Sequence, residues 1–95
     1  MNQRLKFEWD PAKDKANQRK HGVSFKEAET AFNDPVRIVL RDVKHSEKED
    51  RLFCYGMVKN EVLTVRFTMR GKHVRIIGAA YWRDGKEIYE EENHL

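Results

Sequence analysis

The sequence predicts an α+β domain in which two N-terminal helices precede a mostly antiparallel sheet of four to five strands and a C-terminal helix. A chain of 95 residues is long enough for one domain, residues 1–95, with a single modest core. Apolar residues before residue 34 recur at helical spacing, whereas the four runs between residues 36 and 82 alternate as strands do. These two periodicities, in this order, indicate the fold class.

A short edge strand and a polar helix are expected first. Residues 6–9 (KFEW) form the candidate strand. Asp10 is a favourable N-cap, the proline after it fits the first helical turn, and Gly22 suits the left-handed residue that ends a helix. Between them, Ala12 and Ala16 form the only apolar stripe of this helix.

The second helix is predicted to begin at Ser24, whose side chain forms a capping box with that of Glu27. The Asn-Asp-Pro sequence at residues 33–35 ends it. Its apolar residues recur at helical spacing and should face the core: Phe25, Ala28, Ala31 and Phe32.

The sheet is predicted from four runs separated by turn sequences. A polar loop at residues 42–50 follows the first run, and short turns at residues 59–60 and 70–71 make the last three runs two consecutive hairpins. Asp84 is the expected N-cap of an acidic terminal helix. The four runs are residues 36–41, 51–58, 61–69 and 73–82.

The two turns also predict the register of the sheet. A two-residue turn at residues 59–60 places Phe53 opposite Arg66. A second turn, at residues 70–71, places Arg75 opposite Arg66. One face is then apolar. The opposite face carries basic side chains interleaved with aromatic ones: Arg51, Arg66, His73, Arg75, Phe53 and Tyr55.

This basic face is the strongest functional signal in the sequence. Arginines opposed across two strands repel each other, so a bound anion would reduce the repulsion on this face. Arginines that hold phosphates, together with aromatic rings that stack on unpaired bases, suit RNA. The alternative is a solvated sheet face on which arginine stems cover apolar surface.

Charge and residue spacing narrow the possible kinds of site. The net charge of +3 favours an acidic partner only weakly. The four histidines lack metal-ligand spacing and Cys54 is the only cysteine, so we expect neither a metal site nor a disulfide. Cys54 falls on the apolar face and should be an inert core residue. The single cysteine and the lack of a signal peptide or membrane span favour the cytoplasm.

Three residues outside the sheet are also candidates for the chemistry. Lys20 and His21 end the first helix, where capping and a favourable interaction with the helix dipole are the simpler roles. His45 lies in the polar loop and suits a general acid or base, because imidazole titrates near neutral pH. A solvated side chain is the alternative for His45.

Several stretches, taken in order, resemble one family of toxins. "FEWDPAK" and "KHGVSF" lie in the N-terminal part, "HSE" in the polar loop, and "RG", "RIIGA" and "YEE" in the C-terminal part. From Phe7 to about Glu91 the chain is similar to the BrnT family of type II toxin–antitoxin systems.

The resemblance implies a RelE-like fold and a small ribonuclease that cuts RNA and inhibits translation. RNA supplies its own nucleophile, the 2′-OH, so arginines can stabilise the charged phosphorane without a metal, and we expect no cofactor. The resemblance also implies a BrnA-like antitoxin with a ribbon-helix-helix part, and binding of operator DNA only through the complex of the two proteins.

Basic positions that recur in the family fall on Arg51, Arg70 and Arg75. In many members an arginine stands where this chain has Ala80, and Arg83 is the candidate replacement. The candidate catalytic residues are Arg70, Arg75, Arg83 and His45. The candidate RNA-binding residues are Arg51, Phe53, Tyr55, Arg66, His73, Lys20 and His21. A non-catalytic RNA-binding or regulatory adaptor that uses the same basic face is the alternative function.

Overall fold

The computed structural model describes residues 5–95 and shows one five-stranded sheet with helices packed on both faces. The strands are β1 (Lys6–Glu8), β2 (Ile38–Arg41), β3 (Arg51–Val58), β4 (Glu61–Arg70) and β5 (His73–Ala80), and the helices are α1 (Pro11–His21), α2 (Phe25–Glu29) and α3 (Arg83–Glu92). The strand order is β1-β5-β4-β3-β2, with β1 parallel to β5 and the other pairs antiparallel. The predicted α+β class is confirmed, and the parallel edge strand makes the sheet mixed.

The main core lies between one sheet face and α2, together with the 3₁₀ turn Thr30–Asn33 that continues it. Phe25 and Val65 are fully buried in this core, as expected from their spacing in the sequence. Cys54 lies beside them, and burial raises the pKa of its thiol to about 12. Its predicted role as an inert core residue is therefore supported by its position.

The first hairpin has the predicted register. Phe53 pairs with Arg66, and Arg51 pairs with Thr68. The turn residues Lys59 and Asn60 have φ angles of 50° and 68°. Two successive positive φ angles are the mark of a type I′ turn, whose twist matches the twist of the strands it joins.

The second hairpin turns one residue later than predicted. Gly71 adopts the left-handed conformation with φ of 58°, which glycine tolerates well, and Arg70 leaves the turn to pair with His73. Near the turn, each residue of β4 therefore pairs with a residue of β5 two positions later than predicted, so that Phe67 lies opposite Ile76. Because side chains alternate with a period of two, this displacement keeps the predicted faces.

A bulge in β5 changes the register a second time. Phe67 still faces Ile76, but Arg66 faces Gly78, so β5 contains one extra residue at this point. The predicted pairing of Arg66 with Arg75 is wrong, since Arg75 lies opposite Thr68.

Helix α1 is held against the sheet by a polar residue and not by its alanines. Asn17 is buried, whereas Ala12 and Ala16 are exposed. The Asn17 carboxamide donates to the carbonyl oxygens of Val23 and Ala79, each at 2.8 Å, and accepts from the Ala79 N–H at 3.1 Å. The apolar stripe formed by Ala12 and Ala16 is therefore exposed and not part of the buried core.

Helix α3 covers part of the basic face of the sheet. Tyr89 of α3 and Tyr55 of β3 are only 3% and 5% exposed and pack in a second, smaller core. Trp82 is the N-cap residue of α3, and the predicted cap Asp84 lies instead in the first turn of the helix. A Cβ added at Gly85 would lie 1.9 Å from Thr64 Oγ1, so glycine permits this close contact of helix and sheet.

Asp34 joins α3 to the rest of the fold and delays the start of β2. Its carboxylate accepts hydrogen bonds from the backbone N–H groups of Val36 and Met57 and from the Tyr89 hydroxyl, the last at 2.7 Å. The bond to Val36 holds a turn there, so β2 begins at Ile38 and not at the predicted residue 36. No helix within residues 5–95 is long and apolar enough to cross a membrane.

Candidate active site

A groove runs over the face of the sheet that α3 only partly covers, and its first half is a recess of about 440 Å³. The polar loop after β2, strands β3 and β4 and the start of α3 surround this first recess. Its lining residues are Asp42, Lys44, His45, Phe53, Tyr55, Thr64, Arg66, Trp82, Asp84, Gly85 and Ile88.

A second recess of about 510 Å³ adjoins the first and shares Arg66 and Trp82 with it. The C-terminal half of α1 and the bulged part of β5 supply most of its remaining walls. Its lining residues are Lys13, Ala16, Asn17, Lys20, His21, Arg66, Ile77, Gly78, Ala79 and Trp82. The two recesses together bring residues from five elements and the polar loop into one groove.

Asp42 and His45 form a hydrogen-bonded pair in the first recess. His45 Nδ1 lies 2.8 Å from Asp42 Oδ2, and the Asp42 side chain is 8% exposed while that of His45 is 55% exposed. A buried carboxylate therefore holds an imidazole that remains open to solvent. This is the arrangement that orients a histidine for proton transfer.

The local backbone explains why this pair forms. The Asp42 N–H donates to the Arg51 carbonyl at 2.7 Å, which closes the polar loop onto β3. Ser46 Oγ donates to the Asp42 carbonyl at 2.6 Å and accepts from the Arg51 N–H at 3.0 Å. The 3₁₀ turn Val43–His45 then brings the two side chains, three positions apart, onto one side.

The electrostatics of the first recess favour an ionised Asp42. Burial by itself would raise the pKa of Asp42, but the hydrogen bond and positive charge of His45 and the charge of Arg66 hold the pKa below its usual range. Asp42 is thus a carboxylate at neutral pH, so Nδ1 of His45 donates its proton to Asp42 and Nε2 is the ring nitrogen that Asp42 does not bind.

Arg66 occupies the boundary between the two recesses. It is half-buried on β4 beside Phe53 of β3. The rings of Phe53 and Tyr55 stack with centroids 5.8 Å apart. Tyr55 itself is buried beneath α3, so its ring is not accessible for the predicted stacking on RNA bases, whereas Phe53 is half-buried. Burial, and then the charges of Asp42 and Asp84, raise the pKa of Tyr55.

Lys20 and His21 lie at the second recess, as α1 ends. His21 is half-buried and Lys20 is exposed. The His21 ring meets the Trp82 indole edge-on, with ring centroids 5.4 Å apart and an interplanar angle of 80°. The structure therefore places these two candidates with Arg66, although they are more than 40 residues away from it in the sequence.

Three other candidates form a separate group near the turn between β4 and β5. Arg75 Nη1 lies 2.7 Å from Glu8 Oε2, and His73 Nδ1 lies 3.5 Å from Glu8 Oε1. Arg70 is exposed and pairs with His73 across the hairpin. None of the three belongs to the lining of the two recesses.

Arg51 lies between these two groups on the same sheet face. It is opposite Thr68, which in turn is opposite Arg75, so three strands place a threonine between two arginines. Arg51 Nε is 3.7 Å from Glu49 Oε2, which is too long for a hydrogen bond, and this buried atom has no other hydrogen-bond partner within residues 5–95.

Arg83, the candidate replacement for the arginine missing at position 80, lies elsewhere. It lines a different depression with Glu61 and Glu90. Ala80 is 3% exposed and lies opposite Thr64, close to where α3 crosses the sheet. The structure thus does not bring Arg83 to the groove that contains His45.

Sequence reasoning missed Asp42, Lys13 and Trp82 as residues of the groove. The spacing of Asp42 and His45, three positions apart in a polar loop, was an available signal for a paired acid and imidazole. Trp82 carried no such signal, since it stands at the end of a run that reads as a buried strand. Among residues 5–95 no group of three or more His, Cys, Asp or Glu side chains is placed to hold a metal ion.

Comparison with models of known protein families identifies the family of the chain. The model of a family described as "Ribonuclease toxin, BrnT, of type II toxin-antitoxin system" matches residues 9–85, which is most of the sequence. No curated protein matches the chain.

Proposed function

Because this chain belongs to the BrnT family of ribonuclease toxins of type II toxin–antitoxin systems, we propose that it cleaves RNA without a metal ion, in the groove lined by Asp42, His45 and Arg66. The observation that carries the proposal is the 2.8 Å contact of His45 with the buried Asp42 carboxylate, beside the Arg66 guanidinium. An oriented imidazole and a fixed cation are what a reaction at a phosphodiester requires.

The reaction is an internal transfer of the phosphoryl group. The ribose 2′-OH attacks the adjacent phosphorus, so that the P–O2′ bond forms and the P–O5′ bond breaks. The products are a 2′,3′-cyclic phosphate and a 5′-hydroxyl end. A base removes the 2′-OH proton and an acid gives a proton to O5′. RNA supplies the nucleophile, so this route needs no metal-bound hydroxide.

His45 is proposed to transfer one of these two protons through Nε2, because Asp42 holds its other ring nitrogen. Asp42 is a positioning residue, since its carboxylate fixes the ring and supports the imidazolium that forms when Nε2 takes up a proton. Arg66 is proposed to contact the charged phosphorane, whose extra negative charge it stabilises.

The remaining sequence candidates are proposed to hold the RNA on either side of this centre. Lys20 and His21 bind in the second recess. Arg51, Arg70, His73 and Arg75 follow the same sheet face toward the hairpin turn and contact phosphates there. In this arrangement Arg70 and Arg75 contribute to RNA binding by contacting the phosphates of its backbone. Arg83 contributes to RNA binding from the surface of α3 beside the groove.

The antitoxin is proposed to be a BrnA-like ribbon-helix-helix protein that acts in the cytoplasm and neutralises the toxin by covering this basic face. Operator DNA would then be bound by the complex, through the antitoxin. An acidic segment laid across Arg51, Arg66 or Arg75 would form charge-assisted hydrogen bonds. Affinity that falls with added salt, and falls again when these arginines are replaced, would support this docking site.

The deciding experiment is cleavage of single-stranded RNA by the purified protein in EDTA, with product ends identified. We expect 2′,3′-cyclic phosphate ends and a loss of about 100-fold or more in kcat for His45→Gln. Arg37→Gln, which changes an exposed arginine outside both recesses, is the matched control and should cleave at the wild-type rate. RNA binding with no cleavage by the wild-type protein would instead favour the adaptor function.

A further inference from the structure

Trp82 has an unusual position for so large an apolar side chain. It is 38% exposed, and it lines both recesses of the groove as well as the neighbouring depression that contains Arg83. Its backbone is fixed at both ends, because β5 ends at Ala80 and α3 starts at Arg83. An indole held at the edge of a groove offers an open aromatic face to whatever enters that groove.

His21 restricts the orientation of this indole. Its ring packs edge-on against Trp82 at 5.4 Å, an arrangement that aromatic rings favour. A ring that is already oriented loses little conformational entropy when a ligand stacks on it. The pair is therefore a preorganised surface and not a mobile side chain that happens to be exposed.

The charges that line the two recesses differ. In the first recess the carboxylates of Asp42 and Asp84 offset the basic side chains of Lys44, His45 and Arg66. The described residues of the second recess include no carboxylate, and they contribute four basic side chains: Lys13, Lys20, His21 and Arg66. The second recess therefore favours a ligand that carries both an aromatic ring and a phosphate.

We propose that the second recess binds one unpaired nucleotide of the RNA, with its base stacked on Trp82 and its phosphate held by Lys13 and Lys20. This subsite rests on the proposed ribonuclease function and adds a requirement for single-stranded RNA next to the cleaved bond. In a duplex each base is already stacked between its neighbours, so its face is closed to the indole.

Binding is tested separately from cleavage with RNA in which every 2′-OH is methylated, because such RNA lacks the nucleophile. We expect Trp82→Ala to weaken binding of a single-stranded oligonucleotide about tenfold, and Trp82→Phe to weaken it much less, because phenylalanine keeps an aromatic face. Binding of a duplex of the same sequence should be unchanged in both variants.

A fluorescence measurement on an intact groove covers the case in which Trp82→Ala fails to fold. Trp9 packs against Phe25, away from the groove, so Trp9→Phe leaves Trp82 as the single tryptophan. We expect single-stranded RNA to quench this emission strongly and duplex RNA to leave it nearly unchanged. Equal quenching by the two RNAs, or none by either, would overturn the subsite.

The two proposals fail in different ways. If the wild-type protein cleaves unmethylated RNA and the folded Trp82→Ala variant binds and cleaves equally well, the subsite is wrong and the ribonuclease proposal stands. If single-stranded RNA quenches Trp82 while the wild-type protein cleaves nothing, the ribonuclease proposal is wrong and the subsite stands.

Discussion

The carboxamide of Asn17 exchanges two hydrogen bonds with the backbone of Ala79, donating to its carbonyl oxygen at 2.8 Å and accepting from its N–H at 3.1 Å. The parallel strand β1 pairs with β5 only as far as Arg75, so within residues 5–95 the edge of β5 beyond that point has no strand beside it. Asn17 takes the place of the missing strand at Ala79, and it thereby anchors α1 beside the groove.

Replacing Asn17 with Ala should destabilise the protein by about 2–4 kcal/mol, because the buried N–H and C=O of Ala79 lose their partner. Urea unfolding followed by circular dichroism measures this loss. Lys15→Ala, on the exposed side of the same helix, is the control and should change stability by less than about 0.5 kcal/mol. Similar losses for both variants would mean that Asn17 has no special role.

The contact between Asp34 and Tyr89 should make stability depend on pH at both extremes. Burial would raise the pKa of Asp34, but hydrogen bonds from Tyr89, Met57 and Val36 hold it below the usual range. Its contribution is therefore present above about pH 4 and is lost as the pH falls further. Burial, and then the bond to Asp34, raise the pKa of Tyr89 to about 12, so its contribution is lost above about pH 10.

Tyr89→Phe tests this pH dependence. The variant should be less stable at neutral pH by about 1 kcal/mol or more, because the Asp34 carboxylate loses a hydrogen bond. It should also lose less stability than the wild type between pH 10 and pH 12, since the titrating hydroxyl is gone. Chemical unfolding at a series of pH values gives both numbers. If the stability of the two proteins falls equally between pH 10 and pH 12, the Tyr89 hydroxyl is not the group that causes the alkaline loss.

Gly85→Ala should destabilise the protein even though alanine is the better helix former. The new methyl group would lie 1.9 Å from Thr64 Oγ1 and 3.1 Å from Tyr55 Cδ1, so either α3 or the buried Thr64 side chain must move. We expect a net loss of about 1–3 kcal/mol. Thr64→Ala removes the nearest atom, so the double variant should recover part of the loss in a double-mutant cycle. Strictly additive effects would show that the two residues are not in contact.

Arg70→Ala and Arg75→Ala should each cost about 2 kcal/mol of transition-state stabilisation, or roughly thirtyfold in kcat/KM, if each contacts the charged phosphate backbone during the reaction. Glu8→Gln should increase the affinity for RNA, since the Glu8 carboxylate forms an ion pair with Arg75 at 2.7 Å in the structure and its removal frees the guanidinium for a phosphate. Steady-state cleavage and RNA binding measure these effects. Undiminished cleavage by the Arg70→Ala, Arg75→Ala double variant would remove both residues from the site.

The elements, and the sheet faces before the bulge in β5, were determined by local features of the sequence. The register of the first hairpin followed from strand alternation and from two residues, Lys59 and Asn60, that suit a tight turn. In the second hairpin the turn was misplaced by one residue at Gly71, yet Arg66 and Arg75 still share the predicted face. A period of two makes the face of a strand robust to an even displacement, whereas its exact partner depends on the turn.

Only the tertiary structure decided which polar residues meet. The bulge that places Gly78 opposite Arg66, the docking of α1 through Asn17 and the covering of Tyr55 by α3 depend on packing between segments far apart in the chain. The groove arises in the same way, because its walls come from α1, the polar loop and three strands, with α3 closing one side. Periodicity reports which way a side chain points within its own element, and it carries no information about which element lies opposite.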